Sequence, residues 1–151
     1  MEFDFLVPID NEIIDYKNHL SSQHIGGVMA LHTDDAFPDL SEVKIALVGV
    51  LENRGDEGVA TVVDLTSVRK SLYGLFMGNW KMGIADLGDI LAGNSTMDTY
   101  FAVKKVVASL IKKGIVPIVI GGSQDLTYAL YRAYDELEQM VNLVAIDNKF
   151  D

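Results

Sequence analysis

The sequence predicts an α/β domain: an open parallel sheet with flanking helices, of the kind that buries its strands on both faces. Three observations carry this. Apolar runs of strand length recur at Lys44–Leu51, Ile115–Ile120 and Asn142–Ile146, and runs without alternation suit strands covered on both sides. Stretches of helical period lie between them, the clearest having Val103, Val106, Val107, Leu110 and Ile111 on one face. A strand–helix–strand–helix–strand order then favours parallel strands joined by crossover helices.

The elements follow in order. Residues 1–43 read as an irregular N-terminal segment with a short helix at Asn11–Leu20 and a loop from His24 to Pro38 around Gly26 and Gly27. Residues 44–151 read as the front portion of the α/β domain. After the strand Lys44–Leu51 comes a polar, glycine-containing loop from Glu52 to Gly58. Asp64 is a candidate cap for a helix to about Phe76, with Leu65, Val68, Leu72 and Leu75 at helical spacing. Gly83–Leu87 is a short strand ending in Asp86-Leu87-Gly88-Asp89. Ser95 and Asp98 stand in a capping-box relation ahead of the next helix, and Gly114 supplies its left-handed stop. Pro117 within Ile115–Ile120 points to an edge or an irregularity, since proline has no N–H for a ladder. Gly121-Gly122-Ser123 turns the chain into a helix from Gln124 to about Gln139, with Leu126, Leu130, Ala133 and Leu137 as its core face. Asn142–Ile146 is the last strand. A parallel strand needs a crossover helix to cover it, so the sequence is expected to be a fragment, truncated after a strand and incomplete at the C-terminus.

Composition narrows the function. With 49% apolar residues the 151-residue chain can build a core. A formal net charge of -10 repels nucleic acid and anionic lipid, so neither is expected as a partner. No apolar run is long enough to span a membrane, and Met1-Glu2-Phe3-Asp4-Phe5 lacks the basic and apolar regions of a secretory signal. The expected location is cytoplasmic. Without cysteine, disulfides and thiolate metal sites are excluded.

Ligands of open parallel sheets bind beyond the carboxyl ends of the strands. Four loops lie there: Glu52–Glu57, Asp86–Asp89, Gly121–Asp125 and Asp147–Asp151. Gly121 and Gly122 allow a tight turn past Ser123, from which Gln124 and Asp125 would point into the crevice. Asp147 and Asp151 flank Lys149 just past a strand. Carboxylates converging from neighbouring strand ends suit hard cations such as Mn²⁺ or Mg²⁺. The plainer alternative has Ser123 and Asp125 capping a helix, with Asp147 and Asp151 solvated. A phosphate could also sit at this helix N-terminus, although the full glycine fingerprints of phosphate loops are absent. His19, His24 and His32 read as loop or surface residues.

Several of these motifs, taken together and in order, resemble the ureohydrolase family (arginase, agmatinase, formimidoylglutamase). Gly121-Gly122-Ser123-Gln124 resembles the family's Gly-Gly-Asp-His strand end, and Asp147-Asn148-Lys149-Phe150-Asp151 its Asp-Ala-His-x-Asp. Upstream, Asp64-Leu65-Thr66-Ser67-Val68-Arg69 looks like a helix carrying the family's characteristic arginine, and Asp86-Leu87-Gly88-Asp89 like its Asp-x-Gly-Asp. Asp98-Thr99-Tyr100-Phe101 and the stretch from Gly121 to Tyr128 look closest to a formimidoylglutamase- or arginase-like branch of Bacteroides-type bacteria. The resemblance implies an arginase-like three-layer fold. It also implies a pair of Mn²⁺ ions with a bridging hydroxide, and hydrolysis of a guanidino or formimino amino-acid derivative as small-molecule substrate. Asp147 and Asp151 would be metal ligands, while Gln124 and Lys149 occupy positions where the family has histidine. A further ligand motif, Ser-x-Asp-x-Asp, lies beyond this stretch in the family. The fragment is therefore expected to be inactive alone. The alternative reading is a non-catalytic relative with a degenerate metal site that serves binding or assembly. Self-association, as a dimer or larger homo-oligomer, is expected from the apolar strand Asn142–Ile146.

Overall fold

The computed structural model describes residues 3–55 and 64–146. The N-terminal segment holds strand β1 (Leu6–Val7), helix α1 (Asn11–Asn18), the single turn α2 (Ile25–Val28) and strand β2 (Ala30–Leu31). Then follow β3 (Val43–Leu51), α3 (Leu65–Tyr73), β4 (Gly83–Leu91), α4 (Thr96–Lys112), β5 (Val116–Ile120) and α5 (Leu126–Glu136). The sheet runs β1-β4-β3-β5, with β2 also pairing β4. Strands β3, β4 and β5 are mutually parallel, as expected. The first segment is less irregular than its sequence suggests. Its strand β2 lies parallel to β4 at Ala85 and Asp86, and β1 lies antiparallel to it at Asp89 and Ile90.

Alternation along β3 builds a three-layer sandwich. Ala46, Val48 and Val50 point to one face, where α4 and α5 pack with Val103, Val106, Leu110, Leu126, Ala129 and Ala133. Leu47 points to the other, against Ile13 of α1 and Tyr73 of α3. Both faces of β3 are covered, so its apolar run is nearly unbroken. Helix α4 begins with the capping box formed by Ser95 and Asp98 and ends before Gly114, whose φ is +71. Among the described residues no helix is long and apolar enough to cross a membrane.

Four expectations need correction. Strand β4 does not end at Leu87 but runs on to Leu91, so Asp86 to Asp89 lie inside it. Gly88 (φ +86) makes a bulge there: Leu47 pairs with Asp86 and Gly49 with Asp89, three residues matching two. The buried stripe of α3 is Leu65, Arg69 and Tyr73, while Val68 and Leu75 are exposed, because the sheet beneath offers carboxylates rather than apolar side chains. Strand β5, expected to be buried, has Val116 and Ile118 exposed; it pairs only with β3 among the described residues, the edge to which Pro117 points. Residues 139–146 form no strand. Leu143, Val144 and Ile146 face solvent, since an apolar run becomes a strand only where a neighbouring backbone completes its hydrogen bonds.

Candidate functional site

The carboxyl ends of β3, β4 and β5 meet around Glu52, which follows directly on β3. Its side chain is fully buried, and every approach to it is used. Arg54 donates from its backbone N and Nε to Oε1 (3.0 and 2.9 Å) and from Nη2 to Oε2 (2.6 Å). The Thr99 hydroxyl of α4 donates to Oε2 at 2.8 Å. The same guanidinium reaches the β4 end, donating from Nη1 to Asn94 O (3.1 Å) and from Nη2 to Gly93 O (2.8 Å). Ser123 N donates to the Glu52 carbonyl at 2.9 Å, tying in the β5 turn. Arg54 holds the Glu52 carboxyl well below its ordinary range, at about 2, against a smaller opposing effect of burial.

A carboxylate whose folded pKa is depressed stabilises the fold above its unfolded pKa and loses that contribution as pH falls through the folded value. For Glu52 the window runs from 4.5 down to about 2. Acid unfolding followed by circular dichroism should therefore show stability falling across it. Glu52→Gln should flatten that segment, and an unchanged slope would refute the assignment.

The glycine turn after β5 forms as expected. Gly121 and Gly122 have φ of +83 and +78, which other residues adopt only with strain. A Cβ at Gly122 would also lie 2.0 Å from Leu126 Cδ1. Ser123 is buried, and its Oγ has no partner among the described residues. Asp125 occupies the N-cap position of α5 but makes no side-chain cap bond. Its carboxylate instead accepts from the Tyr100 hydroxyl of α4, a bond that raises the Tyr100 pKa to about 12. Gly55 packs directly on that carboxylate, where a Cβ would lie 2.2 Å away. Gln124 is exposed rather than turned inward. Asp147, Lys149 and Asp151 lie outside the described residues.

A second polar cluster is buried between α3 and the sheet. Arg69 Nε and Nη2 donate to the two Asp86 oxygens at 2.8 and 3.1 Å, and Nη2 also reaches Gly88 O at 3.2 Å. Tyr73 OH (2.9 Å) and Gly88 N (3.1 Å) complete the shell of Asp86. Arg69 Nη1 ion-pairs with Asp89 at 2.8 Å. Burial works against the Arg69 charge, but the two carboxylates outweigh it and raise its pKa. Burial, with Asp86 beside it, pushes the Tyr73 hydroxyl far up as well. Gly49 makes room for this cluster: a Cβ there would lie 1.9 Å from Asp89 Oδ1. The sequence marks Arg69, Asp86 and Asp89 by motif, Glu52 and Arg54 only as part of the candidate loop Glu52–Glu57, and Thr99 only within a family-like motif; it does not mark Tyr73 or the contacts among Glu52, Arg54 and Thr99. A further signal for that group is a charged residue placed immediately after a nearly unbroken apolar run.

The described residues do not include Asp147 and Asp151, the carboxylates expected to hold a pair of Mn²⁺ ions. No three or more His, Asp or Glu converge among the described residues. Glu52 is saturated by Arg54 and Thr99, while Asp125 gives Oδ2 to Tyr100 and its buried Oδ1 has no hydrogen-bond partner among the described residues. Gln124 and Lys149 stand at the two positions where the family resemblance places histidine.

A family model described as "Arginase family" matches residues 61–151, more than half of the chain. Among solved structures, the chain is similar to an arginase superfamily protein from Trypanosoma cruzi, with 20% identity and a TM-score of 0.51. That match covers 65% of this chain and 41% of the other. It is also similar to the agmatine ureohydrolase of Thermoplasma volcanium, with 20% identity and a TM-score of 0.52, over 80% of this chain and 41% of that one. At such identity these neighbours show the fold, and the chain spans about two-fifths of their length. No curated protein matches. The family match over residues 61–151 covers more than half of the chain, and this chain belongs to the arginase family.

Proposed function

We propose that the whole protein is a ureohydrolase-fold relative that binds a small guanidino or formimino amino-acid derivative at the carboxyl edge of its sheet without hydrolysing it through a Mn²⁺ pair. One observation carries this reading: Glu52, the carboxylate at the centre of the strand ends, is committed on both oxygens to groups of this chain. Glu52 is matched by Arg54 and Thr99, Asp125 Oδ2 by Tyr100, and the positions where the family resemblance places histidine hold Gln124 and Lys149. Support for a retained ligand crevice comes from its place, beyond parallel strand ends whose loops are tied together. The reaction class of the family needs a metal-activated water, and a cationic side chain among the ligand positions opposes that charge balance.

Elemental analysis of the purified whole protein, grown with Mn²⁺, is expected to find the metal well below stoichiometric. Incubation with arginine, agmatine or formiminoglutamate is expected to release no urea or formamide above background. The second reading, a metal-dependent hydrolase, is favoured by Asp147 and Asp151, which stay at family ligand positions. Stoichiometric Mn²⁺ with turnover abolished by Asp147→Ala would establish it and overturn the first.

A further inference from the structure

The Glu52–Arg54 group is more than a surface ion pair. Glu52 presents two oxygens in a fully buried position, and the Gly93 and Asn94 carbonyls lie beside them. Together they make four acceptors arranged around one planar fork of N–H donors. Arg54 fills that fork using Nε, Nη1 and Nη2, yet its own side chain is 41% exposed. A lysine ammonium has the charge but not the planar spread to reach all of these acceptors. The acceptors come from two different strand ends, and Glu52 also holds Thr99 of α4 by its side chain and Ser123 of the β5 turn by its carbonyl.

We infer that Glu52, Gly93 and Asn94 form a guanidinium-shaped site, filled from within the chain by Arg54, whose occupancy positions the three loops at the carboxyl edge of the sheet. Emptying it leaves a buried carboxylate without its cation. Repulsion between that charge and the two carbonyls then drives the β4 end away from β3, and as Glu52 shifts the β5 turn loosens with it through the Ser123 N bond to the Glu52 carbonyl. Arg54 acts through these loops and is a positioning residue. The inference does not depend on whether the crevice binds a guanidino compound or hydrolyses one, since it concerns how the crevice is held.

The test uses the whole protein and its Arg54→Ala variant, followed by hydrogen–deuterium exchange, with ethylguanidinium and ethylammonium as probes. Amides of residues 92–99 and 121–125 should exchange about tenfold faster or more in the variant, because a broken buried pair lowers local opening energy. Ethylguanidinium at millimolar concentration should restore protection in the variant, ethylammonium should not, and neither should change the unmodified protein. Arg54→Lys should behave like the alanine variant, showing that shape counts and not charge alone. Should Arg54→Ala fail to fold without additive, recovery of soluble folded protein with ethylguanidinium but not ethylammonium is the same expected result. Equal rescue by both cations, rescue by neither, or unchanged exchange in these two segments would each overturn the inference.

Discussion

Arg69→Met should be among the most damaging single substitutions in this chain, costing about 3–5 kcal/mol, the usual loss when one partner of a buried ion pair is removed. Arg69 is 3% exposed and Asp86 fully buried, so neither charge can turn to water when the other is lost. Domains of this size have total stabilities of about 5–15 kcal/mol, and the variant is thus expected to be marginal or unfolded at growth temperature. Urea unfolding of the whole protein measures the effect. A loss below about 1 kcal/mol, the range of a surface pair, would show that the cluster does not hold α3 on the sheet. Replacing Arg69, Asp86 and Asp89 together by apolar residues should be milder than the single change, because no charge is then left buried alone. The cluster's value therefore lies in specificity: only one seating of α3 matches both carboxylates and the gap above Gly49.

Gly88→Ala is expected to cost about 2–4 kcal/mol, combining left-handed strain with steric overlap. Gly88 has φ +86, and a Cβ there would meet the backbone carbonyl of Val7 at 1.9 Å. Because that neighbour is backbone, no rotamer change relieves the overlap. Strand β1 must shift off β4, or the bulge that sets Asp86 and Asp89 on the same side must straighten. Gly114→Ala separates the two contributions, since Gly114 has φ +71 with nothing within 4 Å of its would-be Cβ. Thermal unfolding should show a clearly smaller drop for Gly114→Ala than for Gly88→Ala. Equal drops would mean that the approach of β1 adds nothing beyond strain.

Much of the architecture was legible because local chemistry and final environment agree. The unbroken apolar run of β3 matches a strand covered on both faces, and Ser95, Asp98 and Gly114 bound α4 with the caps their side chains favour. Gly121 and Gly122 mark a turn that needs two positive φ values. The site was less legible. The motif pointed to Asp125 and Gln124 as crevice residues, yet the structure commits Asp125 to Tyr100 and leaves Gln124 exposed. The pairing of Asp125 with Tyr100 spans 25 residues, and that of Glu52 with Thr99 spans 47. No periodicity signals such contacts.

The order of the β3–α5 elements, the parallel sheet, and the family motifs at Arg69, Asp86, Asp89 and the glycine turn can all be read from local patterns, because caps, turns and apolar periods act over a few residues. Long-range packing settles that short strands from residues 6–7 and 30–31 join the sheet, that Arg69 takes the buried stripe of α3, and that Glu52 and Arg54 clasp the strand ends. It also settles that Asn142–Ile146 does not form a strand despite an ideal pattern. The physical reason is common to all four. A two-residue strand, a buried charge and an edge strand each have no favourable local state of their own, and they exist only where a distant backbone or an opposite charge supplies the missing partner.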